Sequence, residues 1–169
     1  MPFKCLVTAF VACSLSGLAS LTAQTSAAPS ARTLYFSPCS ETPAPGEECL
    51  QYIHHDHALL LIHHNAYLNC AAINSELTLS SHQDELSITE TPIFPTQRYE
   101  NGSSSMTVAA CSCFFTVIHE IKNVTVDRFL FMVNNKHGLG APRPVLIDLS
   151  KNKSGVVTLS AIPKMLRKP

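Results

Sequence analysis

The stretch ELTLSSHQDELSITE, residues 76 to 90, alternates apolar and polar side chains on both sides of the polar run SHQDE. Successive side chains of a strand point to opposite faces, so alternation of this kind predicts two strands joined as a hairpin. The same texture continues outward. MTVAACSCFFTVIHEI (106–121) and VTVDRFLFMVN (124–134) read as further strands, and a long strand starts at Ala58. PVLIDLS (144–150) and GVVTLSAI (155–162) read as a last pair around the turn KNKSG. TPIFPTQRYENGSSS (91–105), with two prolines and Asn101-Gly102, reads as a long loop. Helical spacing is missing outside the N-terminus. Many short strands separated by turn signals predict an all-β fold, an antiparallel β-sandwich (Ig-like or related) of about seven to nine strands.

The first residues follow a different logic. One lysine, an apolar run from Cys5 to Leu15, and then small residues form the layout of a secretory signal peptide, read here as residues 1–23. The apolar run is shorter than the ~20 residues that span a bilayer. A lipid anchor at Cys13 is an alternative, although Phe10 stands where such signals carry a leucine-like residue. Residues 24–32 (QTSAAPSAR) read as a linker, and 33–169 as a single sandwich domain with a basic C-terminal tail. The 169-residue chain has net charge zero, unevenly spread: from Arg143 onward six basic residues face only Asp148. An exported, near-neutral chain of this kind excludes nucleic acid as a partner class. The expected location is the periplasm or cell envelope; the basic end reads as a solvated tail, with peripheral or lipid-anchored membrane association as the alternative.

Export permits disulfides. Setting aside Cys5 and Cys13 leaves Cys39, Cys49, Cys70, Cys111 and Cys113, an odd number that cannot pair completely within one chain. Cys39 and Cys49 flank a loop with three prolines, and their spacing predicts a disulfide that closes it. Cys111 and Cys113 share one face of a strand, with α-carbons about 6.6 Å apart, too far and too parallel to bond comfortably to each other. Cys70, at the end of another strand, is the natural cross-strand partner.

Three readings of these thiols compete. Cys70, Cys111 and Cys113 with His63 match the donor set of a tetrahedral zinc site, and thiolates also suit cuprous copper. Alternatively, Cys70 bonds to Cys111 or Cys113 and one thiol stays free. Or the cysteines are small core residues. Strand parity puts Ala58, Leu60, Ile62, His64, Ala66, Leu68 and Cys70 on the inward face and His63 opposite, so His63 joins the cysteines only if a bulge resets the parity. The tract His54, His55, Asp56, His57 has the composition of a weak metal binder or of a solvated loop. His119 reads as a core histidine.

The pattern H-x-N-x-x-x-N-C at 63–70, the hairpin, and C-x-C at 111–113 before an aromatic-rich strand resemble an uncharacterised family of small exported bacterial envelope proteins, often lipoproteins. The similarity spans residues 58–133. It implies roles for His63, Asn65, Asn69, Cys70, Cys111 and Cys113, and assigns His64 none. Ala71 departs from the pattern, in which a second cysteine often follows.

The sequence contains no phosphate-binding glycine loop, catalytic carboxylate pair or nucleophile elbow, so an enzyme is not expected. Two functions are left: an envelope module that binds zinc or copper through Cys70, Cys111, Cys113 and His63, or a structural or interaction module whose cysteines form disulfides.

Overall fold

The computed structural model describes residues 27–134 and 144–159, and every regular element among them is a strand. In chain order these are β1 (Ser30–Phe36), β2 (Cys49–His55), β3 (Ala58–Asn69), β4 (Asn74–His82), β5 (Glu85–Ile93), β6 (Thr96–Arg98), β7 (Ser104–Met106), β8 (Ser112–Lys122), β9 (Arg128–Val133), β10 (Val145–Asp148) and β11 (Ser154–Thr158). Eleven strands exceed the range expected from sequence, because the loop read at 91–105 folds part of itself into the small ribbon β6–β7. The other nine build two sheets, in the orders β1-β8-β3-β2-β11 and β10-β9-β5-β4. The signal peptide, Cys13 and most of the basic tail fall outside the described residues. β1 begins at Ser30, so the last three residues read as linker are in a strand.

The hairpin at 76–90 forms as its alternation requires. Thr78 faces Thr89, and the turn is Gln83-Asp84, with Gln83 at φ 53°. β2 and β3 make a second hairpin whose turn residues, Asp56 and His57, are both left-handed at φ 47° and 62°. That turn geometry matches strand twist, and it accounts for the histidine tract: His54 and His55 end one strand and His57 turns the chain.

Two strand partnerships differ from the alternation reading. β10 and β11 do not pair with each other; β10 joins β9 and β11 joins β2, so the KNKSG turn crosses from one sheet to the other. β5 and β9 run parallel, the one parallel pair among these ladders.

The core lies between the two large sheets. Leu50 and Tyr52 of β2, Leu59, Leu61, Ala66 and Leu68 of β3, and Phe115, Val117 and Ile121 of β8 pack against Leu86 and Ile88 of β5 and Phe129 and Phe131 of β9. Tyr52 meets Phe129 edge-on across the layers, with ring centroids 6.0 Å apart. Each large side chain removed from water contributes about 1.5–3 kcal/mol, and these stripes supply the main drive to close the sandwich.

Candidate functional site

β3 supplies the site because its parity changes partway. Leu59, Leu61 and His63 point inward, and beyond the bulge between His63 and Ala66 the inward residues become Ala66 and Leu68. Asn65 absorbs the extra residue at φ 53°, a left-handed conformation that asparagine tolerates better than most side chains. The inward stripe read from sequence is therefore inverted for residues 58–63 and correct only after the bulge. His63 comes onto the Cys70 side of the strand, yet it meets carboxylates there, not sulfur.

His63 is fully buried, and both of its ring nitrogens are occupied. Nε2 lies 3.0 Å from Glu48 Oε1, and Nδ1 lies 3.1 Å from Glu90 Oε2. His119, on the neighbouring strand β8, brings Nε2 to 3.6 Å from the same Glu90 oxygen and Nδ1 to 3.1 Å from Thr33 Oγ1. The Thr33 hydroxyl in turn donates to the Ser75 carbonyl. A polar chain thus runs Glu48–His63–Glu90–His119–Thr33–Ser75 through the apolar interior, crossing between the sheets three times. Phe131 packs edge-on against the His63 ring, with centroids 5.9 Å apart.

The two histidine–carboxyl contacts fix the proton content. An imidazole held between two carboxyl oxygens needs a proton in each contact, so either His63 is an imidazolium or one acid keeps its proton. Burial opposes a charged His63, but the negative charge of Glu90 and the hydrogen bonds to Glu48 and Glu90 outweigh it and raise the group to about 10. Burial likewise opposes an ionised Glu90, and the charge of His63 with the contacts from His119 and His63 brings it down to about 2. The electrostatics favour imidazolium between carboxylates. Glu90 Oε1 and His119 Nε2 have no hydrogen-bond partner despite full burial, so the network is incompletely satisfied.

The cysteines lie elsewhere, in two disulfides: Cys70–Cys111 and Cys39–Cys113, with α-carbons 5.6 and 5.7 Å apart. The expected Cys39–Cys49 bond is overturned. The proline-rich loop continues along β8, with Ser37 N and Ser40 N donating to Thr116 O and Phe114 O, and this brings Cys39 to Cys113. Cys49 starts β2 and is the described cysteine outside a disulfide. Cys70 and Cys111 are bonded to each other and Cys113 to Cys39, so none of the three is a thiolate donor here. Among the described residues no group of three or more His, Cys, Asp or Glu side chains is placed to hold a metal.

The two asparagines of the 63–70 pattern hold loops in place. Asn65 Oδ1 accepts from Ala44 N at 2.8 Å, and its amide donates to Ala44 O and Gly46 O. Asn69 donates to Ala109 O at 2.6 Å and accepts from Ala109 N and Ala71 N, beside the Cys70–Cys111 bond. His64 projects to the outer face and contacts Gln51. A cleft of about 250 Å³ opens where the proline loop crosses β8, lined by Ser37, Ser40, Thr42, Asn65, Phe114 and Thr116 among others, with no titratable side chain in its wall.

Glu48, Glu90 and Thr33 were not singled out by sequence. Glu90 carried a signal: it takes the inward slot after Leu86 and Ile88, where an acid needs a buried partner. Glu48 is in step with Leu50 and Tyr52 in the same way. Comparison of the chain with protein-family models, curated proteins and solved structures finds no match.

Proposed function

We propose that the chain is an exported, non-catalytic β-sandwich module of the cell envelope, structural or interactive in role, whose cysteines serve as cross-links and hold no metal. The observation that carries this reading is the use of Cys39, Cys70, Cys111 and Cys113 in two disulfides. The other expected ligand, His63, supports it, because both its nitrogens already face carboxyl oxygens and no lone pair is left for an ion. Every residue of the 63–70 and 111–113 patterns has a structural partner, which is what a staple requires and a transfer site does not. Paired thiols also fit an oxidising compartment. No helix among the described residues is long and apolar enough to cross a membrane. The histidine–carboxyl chain is buried beyond the reach of a substrate, which is consistent with a structural role for its acids and bases.

Protein collected from an oxidising compartment tests this directly. Non-reducing peptide maps should join the Cys39 peptide to the Cys113 peptide and the Cys70 peptide to the Cys111 peptide, with Cys49 alkylating after denaturation alone. Metal analysis of the same sample should find only traces of zinc and copper. Stoichiometric metal, with Cys70, Cys111 and Cys113 alkylating without reductant, would reinstate the metal-binding module and reject this one.

A further inference from the structure

β3 is apolar on both faces. Leu59 and Leu61 enter the core, while Leu60 and Ile62 point outward. An antiparallel sheet with one solvated side normally keeps that side polar. The register shows how far the departure extends: Val156, Gln51, Ile62, Ile118 and Tyr35 are successive partners straight across β11, β2, β3, β8 and β1. Beside this row Ile53 pairs with Leu60, and further along the strands the outward rings of Tyr67 and Phe114 pack at a tilt, with centroids 5.1 Å apart. Val156, Tyr35 and Ile53 are 64%, 48% and 39% exposed.

We propose that this outer face of the five-stranded sheet binds a second copy of the chain, sheet against sheet. The proposal rests on the interaction-module reading above and supplies its partner. Five strands at about 4.8 Å, by about 20 Å along the strand, offer roughly 500 Å² per copy and roughly 1,000 Å² in a pair, the lower bound of a specific interface. A two-fold pair needs only this one patch, since the same surface serves both partners. The rim favours a protein over a lipid surface. Arg32 and Lys122 share the single carboxylate of Glu120 at 2.7 and 3.8 Å, so this edge of the patch carries about one net positive charge, well short of the cluster of several Lys and Arg residues that anionic lipid attracts. Cys49 pairs in register with His64 on this same face, so its alkylation reports whether the face is covered.

Sedimentation velocity over a concentration series, with the exported protein and with Ile62→Glu and Ile118→Lys, is the test. The unaltered chain should sediment as a dimer, with Cys49 alkylation slowing as concentration rises. Each variant, its disulfides verified by mapping, should dissociate about 100-fold more readily, because an unpaired charge would be forced into a dry apolar contact. Val156→Lys, at the most exposed position of the row, gives the same readout if the other two misfold. A monomer at every concentration overturns the proposal, as does a dimer that survives the substitutions, or a monomer that floats with anionic phospholipid vesicles. None of these outcomes alters the metal content or the disulfide map, so the structural reading succeeds or fails separately.

Discussion

His63, with a carboxyl oxygen at each ring nitrogen, is the residue whose loss the core can least absorb. His63→Leu leaves Glu48 and Glu90 buried without their shared cation, and urea unfolding should show a loss of about 3–5 kcal/mol. His64→Leu, one residue on and outward-facing, should stay within about 0.5 kcal/mol of the parent. Proton linkage gives a second test. A His63 raised to about 10 contributes stability in full below its ordinary value near 6.5 and loses it as pH rises toward 10. A Glu90 lowered to about 2 contributes in full above 4.5 and loses it as pH falls toward 2. The thermal midpoint should therefore be highest between about pH 4.5 and 6.5 and fall on both sides. His63→Leu should flatten the alkaline limb, and an unchanged slope there would contradict the imidazolium assignment.

At the scale of elements, the bulge in β3 is the feature that sequence parity could not place. β8 was legible: Cys113, Phe115, Val117, His119 and Ile121 alternate inward without interruption, and they are buried. The 76–90 hairpin was legible for the same reason. β3 was not, because one left-handed residue reverses every side chain before it, and nothing in LLLIHHNAYL marks Asn65 as that residue rather than His64. Strand partnership was also out of reach for β10 and β11, since a local turn signal does not say whether the chain returns to its own sheet or crosses to the other. Asn65 combines two duties that substitutions separate. Asn65→Gly keeps the backbone and loses the bonds to Ala44 and Gly46; Asn65→Ala loses the bonds and strains the backbone as well. Alanine should therefore cost about 1–3 kcal/mol, more than glycine. Limited proteolysis should cut residues 41–46 faster in both variants.

For the whole molecule, the disulfides at one end of the sandwich close long stretches of chain. Cys39–Cys113 spans 74 residues and Cys70–Cys111 spans 41. Replacing the first pair by serines should lower stability by roughly 2–4 kcal/mol, since loop-closure entropy returns to the unfolded chain; calorimetry under non-reducing conditions measures it. A mechanical consequence follows from where that bond sits. β1 is an edge strand whose backbone ladder is made with β8 alone, so tension on the chain ahead of Ser30 would peel that ladder hydrogen bond by hydrogen bond, the weakest way to load a sheet. The Cys39–Cys113 clamp is nine residues farther on, and slack stops there after about 30 Å of extension. Beyond that point the pull passes directly into β8, an interior strand of the five-stranded sheet, and a tether on the N-terminal side finds a fixed stop within one strand's length.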